Sequence, residues 1–133
     1  MRIYIAASWK HQHAVEMLTE RLENMGHEVL SWLREGRPEE AFLSRLELAG
    51  FINSEDGCRI FKFCVESATT ADLVIYLGPS GCDAWAEVGA AHGAKVRVLG
   101  LLAKAEDVGL MRHMVNKWFS SVSELLEEVQ SYG

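Results

Sequence analysis

The stretch ADLVIYLGPSGCDAWAEVGAAHGAK, Ala71 to Lys95, decides how this sequence folds. Its opening, Leu73-Val74-Ile75-Tyr76-Leu77, is an unbroken apolar run rich in β-formers, the pattern of a strand buried on both faces. Gly78-Pro79-Ser80-Gly81 then breaks the chain, Asp83 is suited to cap, and Ala84 to His92 reads as a helix of small residues ending at Gly93. A fully buried strand followed at once by a helix is half of a parallel-sheet unit, so the flanking sequence is expected to repeat the alternation.

It does so on both sides. Ile3 to Ala7 is a second compact apolar run that stops at Ser8, and Ala14, Val15, Leu18, Leu22 and Met25 recur at helical spacing between Trp9 and Met25, with Gly26 as the stop. His27 to Trp32 predicts the next strand of a βαβ unit. Residues Leu33 to Gly57, punctuated by Pro38, Gly50 and Gly57, read as a loop with a loosely packed helix over Ala41 to Leu48. Ile60, Phe61, Cys64, Val65 and Ala68 place one face on a helix from Cys58 to Thr70. Beyond the central stretch, Val96 to Leu102 predicts a fourth strand, Lys117 to Phe119 a short fifth, and Ser121 to Glu124 resembles a helix-entry box opening a terminal helix to Tyr132. The expected architecture is one α/β domain over residues 1–133, a doubly wound parallel sheet of four to five strands with helices on both faces.

Composition agrees with one ordinary core: 133 residues, 49% hydrophobic, with the 24% of charged residues spread without blocks. A net charge of -6 argues against binding a nucleic-acid polymer, which needs clustered Lys and Arg, while a small anion can still be held by a helix N-terminus. Cys58, Cys64 and Cys82 are odd in number and lack C-x-x-C spacing, so free thiols in a reducing cytoplasm are expected. No run of ~18 apolar residues exists, and the apolar start is too short for a signal-peptide core, so neither membrane insertion nor secretion is expected. Met111, Met114 and Trp118 form an apolar cluster fit for a subunit contact.

In doubly wound sheets ligands bind beyond the carboxyl ends of the strands, near the topological switch point. That rule selects two loops, Ala7 to His13 and Gly78 to Asp83. In the second, Gly78 and Gly81 permit close backbone approach, Ser80 adds a hydroxyl, and the helix that follows offers free N–H groups, together a cradle for a phosphate or a ribose. On that helix Glu87 stands among Ala84, Ala86, Val88, Gly89, Ala90 and Ala91. Spacing alone leaves two readings open, a carboxylate on a solvent face complementing the helix dipole or a carboxylate held in a site. Lys10, His11 and His13 lie near the first-strand loop and could meet a phosphate, although solvated surface is the default reading; a metal site is less attractive, since two histidines one residue apart do not share a helix face. Cys82 reads as a packed thiol without a base partner. Trp9, Trp32 and Trp85 fall near strand carboxyl ends, where a ring could stack on a base, although packing is the commoner fate of tryptophan.

The pattern Ile3-Tyr4-Ile5-Ala6-Ala7-Ser8, Ala71-Asp72 leading the third strand, and Glu87-Val88-Gly89-Ala90-Ala91 followed by Gly93-Ala94-Lys95-Val96 resembles the nucleoside 2-deoxyribosyltransferase superfamily, which includes N-glycosidases of nucleoside 5′-monophosphates. The likeness runs in order over most of the chain and is weakest between Leu33 and Gly57. It implies a flavodoxin-like fold, cleavage or transfer at the N-glycosidic bond of a nucleoside or its 5′-monophosphate, no cofactor and no metal, and a homodimer or higher homo-oligomer. By position it implies Glu87 as the catalytic glutamate, Asp72 as the base-side aspartate and Tyr4 as the first-strand tyrosine. Ser80 and Gly81 would line the sugar or phosphate, with Ser8, Trp9 and Gly78 beside them.

Two of those residues also have structural readings from the sequence itself, Asp72 as a polar cap at a strand entrance and Tyr4 as a core aromatic. The chain departs from the family where glycine is common and Ala7 stands here, and where Gly81 replaces an aspartate or serine. Those departures keep a second expectation open, a non-catalytic nucleotide-binding module on the same fold.

The chemistry accounts for the carboxylates. Cleaving an N-glycosidic bond develops positive charge at the anomeric carbon, so a glutamate beneath the ring can attack it or stabilise it while a second acid assists the departing base.

Overall fold

The computed structural model describes residues 1–35, 45–107 and 109–132, with backbone only at 45 and 46. Five strands form one sheet: β1 Arg2–Ala6, β2 Glu28–Leu30, β3 Leu73–Leu77, β4 Arg97–Leu101 and β5 Lys117–Phe119. Their order is β2-β1-β3-β4-β5 and every pairing is parallel. All five residues of β3 are buried, as its unbroken apolar run requires of a strand covered on both faces. The chain leaves β1 toward β2 and returns on the other side of β1 as β3, so the switch point lies where β1 and β3 end together.

Five α-helices are found among the described residues: α1 Gln12–Asn24, α2 Arg45–Ile52, α3 Glu55–Thr70, against which α2 packs, α4 Cys82–Gly93 and α5 Val122–Ser131. Register places Tyr4 beside Val74 and Val98, and Ala6 beside Tyr76, Gly100 and Trp118, all on one face. Helices α3 and α4 lie side by side over that face and touch β1. The opposite rows, including Ile3, Ile5, Ile75 and Leu99, are also buried. There α1 and α5 supply Val15, Leu18, Leu22, Leu125 and Val129 to the same core.

Several boundaries differ from the sequence reading for local reasons. Residues Trp9–His11 form a 3-10 turn capped by the Ser8 side chain, and α1 follows it. Helix α3 opens at Glu55 rather than Cys58, because the Ser54 side chain caps it by accepting the Gly57 N–H at 3.1 Å. The residue before α4 is Gly81, so Asp83 lies inside the first turn instead of capping. Of the helix expected over Ala41 to Leu48, residues 45–48 fall in α2, which continues to Ile52, and residues 36–44 lie outside those described. Ser121 caps α5, accepting the Glu124 N–H at 3.2 Å. No helix among the described residues is long and apolar enough to cross a membrane.

Candidate functional site

Helix α4 buries Ala84, Val88 and Ala91, one stripe at helical spacing whose small residues let it pack closely against the sheet and α3. Glu87 sits on the flank of that stripe, half-buried, at the closed groove where α4 packs against α3. Beneath it lies Tyr4, fully buried on β1, with Cys64 of α3 beside the two. Asp83 stands one turn before Glu87 on the same side of α4.

These groups act on one another. Burial pushes the Glu87 carboxyl up to about 7; the Tyr4 hydroxyl opposes the shift, the Asp83 charge adds to it, and the Cys64 thiol opposes it again. Burial and the Glu87 charge hold the Tyr4 phenol well above its ordinary value. Burial also pushes the Cys64 thiol up to about 12. The Tyr4 hydroxyl is within electrostatic reach of Glu87 and Cys64, yet among the described residues it closes no hydrogen bond of normal geometry. A half-buried carboxyl that exchanges its proton near neutral pH beside an unspent hydroxyl can act as a base, an acid or a nucleophile.

The second part of the site is the turn between β3 and α4. Ser80 Oγ accepts the Ser8 N–H at 2.9 Å and donates to the Leu77 carbonyl at 2.7 Å, joining the loops that follow β1 and β3. The Ser80 N–H donates to the Tyr76 hydroxyl at 3.1 Å, and that hydroxyl donates to Glu106 Oε2 at 2.9 Å. Burial and the Glu106 carboxylate raise the Tyr76 phenol to about 12 against the opposing Ser80 N–H. His11 Nε2 is bonded to the Pro79 carbonyl, so His11 joins the two loops instead of standing free in solvent. Space around a side chain at Gly81 is open, whereas the corresponding space at Gly78 is filled by the Glu106 carboxylate.

The sequence-derived candidates therefore divide. Tyr4 and Glu87 meet in the groove, and Ser8, Gly78, Ser80 and Gly81 meet at the turn. Asp72 joins neither: it is exposed at the amino end of β3, where its carboxylate accepts the Arg2 N–H at 2.8 Å and its own N–H donates to the Arg2 carbonyl. β3 carries the chain ~16 Å away from it before the turn begins. The carboxyl that stands beside Glu87 is Asp83.

The aromatic candidates divide as well. Trp9 packs edge-on to Phe51, with ring centres 6.1 Å apart. Trp32 is committed to the core, donating to the Ile5 carbonyl at 2.9 Å. Trp85 lies on Tyr76 at 4.7 Å, beside Trp118, which itself needs the missing side chain of Gly100, where a Cβ would meet its ring at 2.6 Å. Cys82, expected to be packed, is exposed. Among the described residues no group of three His, Cys, Asp or Glu side chains could hold a metal ion.

Four residues of the site escaped the sequence reading: Asp83, which reads only as a helix cap, Tyr76, which reads only as part of a buried strand, Cys64 and Glu106. Cys64 shares the apolar stripe of α3 and is indistinguishable there from a core thiol. Glu106 lies in a stretch without periodicity, and no sequence signal marks it.

No protein-family model matches the chain, and no curated protein matches it. Solved structures do. The chain is similar to the CMP N-glycosidase BcmB of Clostridium botulinum, with 22% identity, all of both chains covered and a TM-score of 0.61. It is similar to a 2-deoxyribosyltransferase of Bacillus psychrosaccharolyticus, with 21% identity, 100% of this chain and 93% of the other covered, and a TM-score of 0.68. A conserved protein of Enterococcus faecalis aligns at 15% identity over 100% and 99% of the two chains, with a TM-score of 0.68. At these identities the likeness establishes the shared flavodoxin-like α/β fold.

Proposed function

We propose that this chain cleaves or transfers at the N-glycosidic bond of a nucleoside or nucleoside 5′-monophosphate, with Glu87 as nucleophile or as the charge beneath an oxocarbenium-like sugar. The observation that carries the reading is the state of Glu87: half-buried, pushed up to about 7, between the buried Tyr4 hydroxyl and Asp83. Two of the proteins sharing the fold, an N-glycosidase of CMP and a 2-deoxyribosyltransferase, are named for chemistry at a glycosidic carbon and support it.

In this reading two carboxyls confront the sugar, Glu87 directly and Asp83 one turn ahead. Their mutual repulsion disfavours the ionised pair in the empty site and is relieved when positive charge develops at the anomeric carbon, so the gain is realised in the transition state. Ionised Glu87 forms a bond to that carbon as the carbon–nitrogen bond breaks, and the electron pair leaves with the base, which takes a proton from solvent. Water then attacks the same carbon, freeing the Glu87 carboxylate and giving up a proton, or a second base displaces the carboxylate. Asp72, tied to Arg2 at the far end of β3, takes no part. Ser8, Trp9, Ser80 and Gly81 hold the sugar or its phosphate at the turn, where the first N–H groups of α4 favour an anion, while Gly78, whose open side the Glu106 carboxylate fills, stands behind them.

Exposed Leu110 and Met111, ahead of β5, support a homodimer or higher homo-oligomer. Three free thiols support a cytoplasmic setting.

The test is incubation with a panel of nucleosides and nucleoside 5′-monophosphates, with and without an acceptor base, followed by chromatography. Free or exchanged base is expected from the wild type, and a loss of at least about a thousandfold in Glu87→Gln. Full activity in that variant, or none in the wild type against the whole panel, overturns the proposal.

A further inference from the structure

Glu106 comes from the turn after β4 and carries no motif, yet its carboxylate reaches the turn between β3 and α4. Oε2 accepts the Tyr76 hydroxyl at 2.9 Å, and Oε1 is buried without a hydrogen-bond partner among the described residues. The carboxylate occupies the space that any side chain on Gly78 would need. With the Tyr76 proton committed to Glu106, the phenolic oxygen turns its lone pairs to the Ser80 N–H, which donates to it at 3.1 Å. Ser80 Oγ in turn receives the Ser8 N–H at 2.9 Å. The bonds thus run from Glu106 through Tyr76 and Ser80 to Ser8, connecting the loops after β4, β3 and β1.

The backbone before Glu106 is bent to serve this arrangement. Ala105 holds φ at 65, in the left-handed region that a residue with a Cβ adopts only at a cost, and the Glu106 N–H closes a turn on the Ala103 carbonyl at 3.1 Å. A costly turn that aims a carboxylate under a neighbouring loop persists only where the surrounding contacts hold it there.

We propose that Glu106 is a positioning residue that sets the substrate-side turn, Gly78 to Gly81, through the Tyr76 hydroxyl, and that Gly78 is glycine in order to seat its carboxylate. The proposal rests on the reading of that turn as the sugar or phosphate contact. Among the described residues Glu106 is not one of the groups that shift Tyr4, Cys64 or Glu87, so its loss is expected to loosen binding and to leave the bond-breaking groups in place. Without it the Tyr76 hydroxyl is free to rotate its proton toward Ser80, where donor would face donor.

Two measurements on the full chain separate the positioning from the reaction. Hydrogen exchange at the Ser80 amide, followed by NMR without ligand, is expected to quicken about tenfold in Glu106→Ala and Tyr76→Phe and to stay within about threefold of wild type in Glu106→Gln, whose amide oxygen still accepts the hydroxyl. In turnover of cytidine 5′-monophosphate, the Ala and Phe variants raise KM about tenfold with kcat held within about threefold, and Glu106→Gln restores KM. Unchanged Ser80 exchange in both Glu106→Ala and Tyr76→Phe overturns the proposal, as does a defect confined to kcat. If Glu106→Ala does not fold, Tyr76→Phe and Glu106→Gln carry the same comparison. A wild type that releases no base while Ser80 still responds to Glu106 overturns the proposed reaction and supports the positioning of the turn.

Discussion

Asp83 stands one helical turn ahead of Glu87 on α4, and its charge adds to the burial that pushes the Glu87 carboxyl up to about 7. Removing that charge makes Glu87 easier to ionise. In Asp83→Asn the Glu87 midpoint, followed by carbon-detected NMR of the side-chain carboxyl, is expected to fall by only part of its displacement, because burial is the larger cause.

Glu87 also makes stability depend on pH with an unusual sign for a carboxylate. Its folded value, about 7, lies above the ordinary 4.5, so the folded chain binds more protons than the unfolded one between those values. Its contribution therefore declines as pH rises through that window and is unfavourable above it, by ~2 kcal/mol after allowance for partial exposure. Urea denaturation at pH 5 and pH 8 checks this: Glu87→Gln is expected to gain stability at pH 8 relative to wild type and to show little difference at pH 5.

Tyr4 opposes the upward shift of Glu87 while its own hydroxyl lies buried without a formed hydrogen bond. Tyr4→Phe is expected to change folding stability by no more than about 1 kcal/mol, since the hydroxyl closes no hydrogen bond of normal geometry yet still favours ionised Glu87. The same change moves the Glu87 midpoint upward, and with it the acidic limb of the pH–rate profile. A profile that stays in place shows that Tyr4 does not act on Glu87.

Cys64 should be chemically quiet despite its place in the groove. Burial pushes its thiol up to about 12, so almost none is thiolate at neutral pH, whereas Cys58 and Cys82 are exposed. With iodoacetamide at pH 7.5, peptide mass spectrometry is expected to find Cys58 and Cys82 alkylated at least about tenfold faster than Cys64.

Asp72 is assigned to the sheet rather than to the reaction. Asp72→Ala removes the acceptor of the Arg2 N–H and is expected to cost about 1 kcal/mol in denaturation while kcat/KM stays within about twofold. A collapse of activity in a folded Asp72→Ala chain would return this aspartate to the site.

Much of the fold was legible because its strands are buried on both faces: Leu73 to Leu77 and Ile3 to Ala6 cannot be continuous apolar runs for any cheaper reason, and the helices between them carry plain periodicity. The turn at Gly78 to Gly81 was legible from its breakers. The start of α3 is not legible in the sequence, because Gly57 looks like punctuation whereas the Ser54 cap lets a helix absorb it in the first turn. The place of Asp83 is not legible either, because a carboxylate near a helix start suits the cap and the first turn alike.

By itself the sequence determined the alternation of strands and helices, the parallel sheet and the segment on which Glu87 stands, since those follow from local apolar periodicity and chain-breaking residues. Only the tertiary structure decided the company Glu87 keeps. Tyr4 comes from β1 and Cys64 from α3, elements distant in sequence that side-by-side packing of α3 and α4 over β1 brings to one groove. The same packing sets how far Glu87 is withdrawn from water, and that burial is the main cause of its shifted ionisation. Asp72 and Glu106 are placed by the same packing: parallel register sends Asp72 to the opposite end of β3, and the return of the chain after β4 brings Glu106 beneath the turn.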